Sequence, residues 1–253
     1  MTSRYGFRAP RVTHLTLPLA GLERPRRVVH LTDLHLAYTT PVQLLRDAVS
    51  LTNAQQPDLV VLTGDYVGYA ANRLAELERV LAAIAAPTVA VLGNHDHWTD
   101  APAIVAALER AGVEVLLNGW TTVASLTIVG LDDGVTRRAD AAQATRGRPD
   151  GPALGLSHDP EAAPHLWNRG VPIVLSGHTH AGQVHFGALT ARAHRAVLGR
   201  RYVDGLYVTP KGVVYVNAGV GASGLPFRIG EGAHREVAVI DLIPSHANSA
   251  AIV

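Results

Sequence analysis

The chain of 253 residues contains no cysteine. That excludes disulfides and thiolate metal sites, so any metal must be held by imidazole, carboxylate and amide groups. Aromatic residues are 5% of the total, methionine occurs once, and Lys211 is the sole lysine, every other basic side chain being arginine. An excess of charge is absent too. With 22 basic and 21 acidic residues the formal net charge is +1, so no global field recruits nucleic acid or an anionic membrane. No long hydrophobic run is present. The opening segment is broken by His14, Thr16 and Pro18, which fits neither a secretory segment nor a membrane span. The expectation is a cytoplasmic protein for which peripheral membrane contact is not indicated.

What is present is 47% hydrophobic and 17% charged, the balance of a globule with a substantial core. Five short apolar runs each stop on metal-binding residue types. VVHLTDLH ends at Asp33 and His35, DLVVLTGD at Asp65, and TVAVLGNHD at Asn94, His95 and Asp96. ALGLSHD delivers His158, and PIVLSGHTH delivers His178 and His180. Runs of Val, Ile and Leu bounded by Gly, Pro or Asp read as strands buried on both faces. An open α/β sheet keeps its ligand site at the strands' carboxyl ends, so the five clusters are expected to converge.

Around these runs, segment 11 to 18 reads as a strand near a sheet edge because Pro18 would interrupt a central ladder. Helices are predicted from Pro41 with Thr40 as cap, over about 72 to 85, and over about 101 to 111 behind Thr99 or Asp100. Beyond Gly112 the texture turns to strands, with one short helix near 139 to 146, and then to GQVHF, GLYVT, VVYVN and HREVAVIDL. Two mixed sheets packed face to face with helices outside is the simplest architecture. No fixed repeat or long linker interrupts it, so residues 1–253 are read as one domain, with a core over about 27–242 and flexible ends at 1–10 and 245–253. The arginines at 4, 8 and 11 leave a basic, solvated arm.

Asp33 and His35 are two apart, as are His178 and His180, so each pair projects the same way if extended geometry persists past the strand. Nitrogen and oxygen ligands without sulfur suit Mn, Fe, Zn, Co or Ni better than Ca or Mg. In order along the chain, D-x-H, G-D, G-N-H-D, a single His and G-H-x-H resemble the calcineurin-like metallophosphoesterases, over residues 33 to 180. The later GHTHAGQV and YVNAGVGASGLPFR are similar to the bacterial YkuE/YaeI-like phosphodiesterase branch. Ala181 stands where that branch usually has glycine, and Gly68 and Tyr69 replace the acid and arginine that follow G-D-x-V in phosphoprotein phosphatases.

The resemblance implies a four-layer αββα sandwich and a centre of two divalent transition-metal ions. Carried over position by position, Asp33, His35 and His180 hold one ion, Asn94, His158 and His178 hold the other, and Asp65 bridges. His95 lies beside the ions as the catalytic group that assists the leaving group, and Asp96 either orients it or caps the following helix. Two cations about 3.5 to 4 Å apart share a water, lower its pKa toward about 7 and aim the resulting hydroxide in line with phosphorus. The expected activity is hydrolysis of a small phosphate ester, first of all a phosphodiester. The alternatives are a nucleotide-sugar lipid pyrophosphate hydrolase of the UDP-diacylglucosamine type and a scaffold that kept the fold without its chemistry. Asn217 and Arg228 read first as a turn amide and a surface guanidinium and second as candidates for substrate contact, and the remaining histidines read as structural, with His97 directly after G-N-H-D the one to test.

Overall fold

A computed structural model describes residues 9–37, 40–182, 196, 199–224, 228, 229 and 233–245. The arginines at 4 and 8, the segment GQVHF beyond Gly182, the histidines at 185, 194 and 246 and the last residues lie outside these. Among the described residues the strands form two sheets of six strands each. In the first, β2 (Arg26–Leu31), β3 (Leu59–Thr63), β4 (Thr88–Val91) and β5 (Val113–Val115) run parallel in that spatial order. On the other side of β2, β12 (Glu236–Ser245) pairs antiparallel with it and parallel with β1 (Arg11–Ala20). Edge strand β1 therefore takes the position that Pro18 dictates. The second sheet orders β10 (Gly205–Thr209), β11 (Gly212–Val216), β9 (Ile173–Ser176), β8 (Ala153–Leu156), β7 (Leu126–Gly130) and β6 (Gly119–Val123). Its inner strands β11, β9, β8 and β7 are mutually parallel.

The alternation of side chains along each strand sorts them into layers. Val28, Val61, Val89 and Val91 pack against Ile128, Leu154, Leu156 and Leu175 to make the core between the sheets. Their neighbours Val29, Leu31, Val60 and Leu62 face the opposite way, onto helices α1 (Val42–Ala54), α2 (Leu74–Leu81) and α4 (Ala101–Arg110) through Leu44, Leu45, Leu77, Leu81, Ile104 and Leu108. On the far face of the second sheet, Val174 and Val214 meet Leu166 and Trp167 of helix α6 (Ala163–Trp167). The order is helix, sheet, sheet, helix, and each fully buried Val or Leu contributes about 1.5 to 3 kcal/mol.

Local differences from the sequence pattern have local causes. Thr40 does not cap α1; Pro41 in the extended conformation precedes the helix with no side-chain cap, and the Thr40 hydroxyl instead accepts from Ala222 N at 3.3 Å. Helix α2 is shorter than 72 to 85, whereas α4 and α5 (Ala141–Ala144) form where expected, with Asp100 capping α4 through Ala103 N. Two short helices carry no apolar period to announce them: α3 (Asn94–Thr99) is built from polar residues, and α6 follows a 3-10 turn at Pro160–Ala162. In both Pro160 and Pro164 the ring sits in a first helical turn, where a missing N–H costs nothing. No helix among the described residues is long and apolar enough to cross a membrane.

One buried carboxylate joins the sheets. Glu236, the first residue of β12, accepts from Thr13 of β1, from the Tyr215 hydroxyl of β11 and from Ala218 N. Replacing it with alanine would strand a phenol and a backbone N–H away from water. Glu236→Ala is expected to lower the unfolding free energy by roughly 3 kcal/mol in urea denaturation; a change below about 1 kcal/mol would mean that the network does not bind the sheets together.

Candidate metal centre

The parallel strands of each sheet end on the same rim, and every residue singled out by the motifs lies just beyond one of those ends. Asp33 and His35 follow β2, Asp65 follows β3, Asn94 and His95 open α3 after β4, His158 follows β8, and His178 and His180 follow β9. The pairs are not extended, contrary to the two-residue-spacing expectation. Asp33, His35, Asp65, His178 and His180 all have left-handed backbone, with φ of 51°, 42°, 57°, 72° and 53°. The chain curls at each strand end instead of continuing straight, and this gathers the side chains over the rim. Such conformations cost about 1 to 3 kcal/mol each and cluster at functional sites.

Backbone bonds hold these curls together. Asp33 N donates to Gly64 O at 3.0 Å and His35 N to Asp65 O at 2.9 Å, laying the first loop along the second. Across the sheets, His178 N donates to Asp33 Oδ2 at 3.0 Å and His158 Nδ1 bonds Thr63 O at 2.7 Å. The glycines of the motifs are there for space. A Cβ on Gly93 would collide with the Asp65 carboxylate and the His158 ring, and one on Gly177 with Thr32 and Asp33.

The result is an unbroken chain of donor atoms. His180 Nε2 lies 3.3 Å from Asp33 Oδ1 and 3.0 Å from His35 Nε2, which is 3.4 Å from Asp65 Oδ2. Asp65 Oδ2 is in turn 3.3 Å from His158 Nε2, itself 3.3 Å from His178 Nδ1. Asp33, His35 and His180 form one group able to hold a cation and Asp65, His158 and His178 another, with Asp65 also grouped with His35 and His95. The donors fit divalent metals. Asp33 Oδ1 and Asn94 Oδ1 are buried with no hydrogen-bond partner, an arrangement that costs a folded protein unless something binds there. His158 fits as well: Thr63 O accepts its Nδ1–H, which directs Nε2 at the cluster as the atom that would bind a cation in place of a proton.

The charges inside this buried cluster are coupled. Against burial, which raises it, His180, His35 and His158 hold Asp33 well below the usual carboxylate range. Against the same burial, His158 and His35 hold Asp65 low. Burial pushes His35 and His158 down, but the two carboxylates outweigh it and leave both imidazoles raised. His178 is pushed down to about 4 by burial, His158 and Arg200, and His180 is well below the ordinary value through burial. Two carboxylates are thus balanced by two imidazoles that attract protons, the positions a cation would take.

His95 is beside this cluster and 6% exposed. Its Nδ1 bonds Gly68 O at 3.0 Å, its backbone N–H donates to Asp65 Oδ1 at 2.9 Å, and Ser223 Oγ is 3.4 Å from Nε2. Asp96 makes no hydrogen bond to this ring. Its carboxylate accepts from the backbone N–H groups of Asp65, Gly93 and Tyr66 at 2.8, 2.9 and 2.9 Å, and burial together with the Asp65 charge pushes it up to about 7. Of the two roles expected for Asp96, the bond to Gly93 N is the helix-capping one. His97 is turned away to Asp132, at 2.6 Å. Asn217 bonds His30 O and Gly219 N, and Arg228 is engaged with the carbonyls of Gly221, Ala218 and His234 and with His180 Nδ1. Both of these substrate candidates are occupied in shaping the loop behind His180.

Three neighbours of the cluster have no motif to mark them. Arg200 reaches it from outside the motifs, with Nη2 2.6 Å from His178 Nε2 and Nη1 2.7 Å from Asp159 Oδ1. Tyr69 and Trp98 pack their rings on His95 at centroid distances of 4.9 and 5.2 Å. For Trp98 a signal existed: in a helix it falls one turn after His95.

Residues 26–182 match the calcineurin-like phosphoesterase family. The phosphodiesterase YaeI of Escherichia coli is 32% identical over 211 residues, which cover 78% of this chain and 76% of that protein. The metallophosphoesterase YkuE of Bacillus subtilis is 30% identical over 217 residues, covering 80% of this chain and 74% of that one. A transmembrane protein with a metallophosphoesterase domain from Danio rerio is 32% identical over 245 residues, 87% of this chain but only 55% of the relative's length. With the family match running through every strand end that supplies the cluster, the chain belongs to the calcineurin-like phosphoesterases and is a metal-dependent phosphoric ester hydrolase.

Proposed function

We propose that the whole chain, acting as one domain, hydrolyses a small phosphodiester at a centre of two divalent ions. The observation that carries this reading is the pair of three-residue donor groups, Asp33–His35–His180 and Asp65–His158–His178, linked by a third in which His35 and Asp65 stand with His95. In this reading Asp33, His35 and His180 hold one ion, Asn94, His158 and His178 hold the other, and Asp65 serves both. Bound divalent ions supply an acidified water and neutralise charge on the phosphoryl oxygens. The phosphodiesterase name of a relative at 32% identity supports the choice of a diester.

The chain's own residues then divide the remaining work. Hydrolysis adds water across the ester bond, hydroxide to phosphorus and a proton to the departing oxygen. Gly68 O accepts only from a protonated Nδ1 on His95, so Nε2 is the atom that can take up the proton the attacking water gives off and pass it to the departing oxygen. Burial disfavours the charged ring in between, which favours release of that proton. Asp96 keeps the Asp65 and Gly93 loops in register through their N–H groups. A guanidinium has no acceptor, so the contact of Arg200 with His178 Nε2 makes that nitrogen the acceptor and puts the ring proton on Nδ1, toward the cluster. Were His178 to hold an ion through Nδ1, its ring proton would sit on Nε2, which could then no longer accept from Arg200. The guanidinium, anchored by Asp159, would then be free to bond a phosphoryl oxygen.

The protein reconstituted with manganese is expected to turn over bis(p-nitrophenyl) phosphate and to lose that activity with EDTA. His95→Ala should keep its metal content by elemental analysis while kcat falls by roughly 10² to 10⁴, whereas Asp65→Asn should lose metal. Equal metal loss in both variants contradicts the assigned roles. Arg200→Ala removes both a competing donor and a nearby positive charge, so calorimetry should find manganese bound about tenfold more tightly; weaker binding would mean that Arg200 supports His178 as a ligand.

A further inference from the structure

The two most exposed large hydrophobic side chains among the described residues are Tyr69, at 71%, and Trp98, at 60%. Both rings pack on the same histidine, His95, with interplanar angles of 63° and 58°. Their frame is rigid. Gly68 O, one residue before Tyr69, accepts from His95 Nδ1 at 3.0 Å and from Thr99 Oγ1 at 3.4 Å, so α3 and the loop after Asp65 are pinned to one another. The two rings pack over His95, yet most of each remains exposed.

Exposed aromatic surface of this size is unfavourable in water and marks binding sites when it gathers in one place. Aromatic faces favour a partner with its own π-face, in offset or edge contact, and successive bases stack on such side chains in proteins that bind single strands. The rings packed on His95 are His35, Tyr69 and Trp98, a set of π-faces. We infer that Tyr69 and Trp98 form a subsite for a planar ring, a nucleobase or aryl group, carried on the leaving side of the phosphodiester. This rests on the phosphodiesterase reading above for its orientation, and on the exposed ring pair for its chemistry.

The test uses two phosphate monoesters that differ by the base alone. Adenosine 5′-monophosphate and ribose 5-phosphate are titrated into the manganese-loaded full chain by calorimetry, with tryptophan fluorescence as a second readout. The nucleotide is expected to bind about tenfold more tightly, within what one base stacked on an aromatic ring supplies, and to quench the exposed Trp98. In Tyr69→Ala/Trp98→Ala the two ligands should bind alike, while Trp98→Phe, which keeps a ring, should retain most of the preference. Equal binding by the unaltered protein overturns the inference. So does a preference that survives in the double alanine variant, a failure of the nucleotide to bind, or tighter binding of octyl phosphate, which would identify an acyl subsite. A protein that shows the base preference but hydrolyses no diester would sink the proposed function and leave the ring subsite standing.

Discussion

The site depends on two hydrogen bonds that cross from one sheet to the other. His178 N reaches the Asp33 carboxylate and His158 Nδ1 reaches Thr63 O. Each sheet alone brings together only part of the donor set: Asp33, His35, Asp65 and Asn94 from the first, and His158, His178 and His180 from the second. Within the first sheet His35 is the imidazole beside both carboxylates, and only when the rims meet does Asp65 gain His158 and Asp33 gain His180. The packed core of Val28, Val61, Val91, Leu156 and Leu175 holds the sheets face to face, and these two polar bonds act at the donor residues themselves, beside the Glu236 network and the Asn217 bond to His30 O that also join the sheets.

Bringing so many polar groups to one place opposes folding. Carboxylates lose water, imidazoles crowd one another, and five of the donor residues take a left-handed backbone. Three devices offset this. Backbone N–H groups bond the acids, with His95 N on Asp65 and His178 N on Asp33. Gly93 and Gly177 let neighbouring loops approach more closely than any Cβ would permit. Asp96, buried and bonded to three N–H groups, braces the loop that carries Asp65. What remains unsatisfied, such as Asp33 Oδ1 and Asn94 Oδ1, points to a cation as the missing partner. Metal affinity and the strained strand ends are thus two sides of one arrangement.

Much of this was legible in the residues because buried parallel strands announce themselves as apolar runs, and their ends are where polar motifs accumulate. The β2, β3, β4, β8 and β9 runs and the edge position of β1 followed from that pattern. Extended geometry at the paired motifs did not, because spacing alone does not reveal a left-handed turn at non-glycine residues such as His35 and His178. Helix α3 escaped the pattern since its residues serve the site and leave no apolar stripe. Arg200 was invisible for a different reason: it belongs to no motif and comes beside His178 only through the fold. Asn217 is the turn amide that its Gly-rich surroundings suggest, bonded to His30 O and Gly219 N, whereas the carbonyls that engage the Arg228 guanidinium could not be read from the sequence.

The central claim, that residues from both sheets clasp a pair of ions, is tested most directly by a crystal of the manganese-loaded protein and its anomalous difference map. Two peaks are predicted, one among Asp33, His35 and His180, the other among Asn94, His158 and His178, with Asp65 in contact with both. A single peak elsewhere, for instance at the His97–Asp132 pair, or no peak beside Asp65 at saturating manganese, would contradict it.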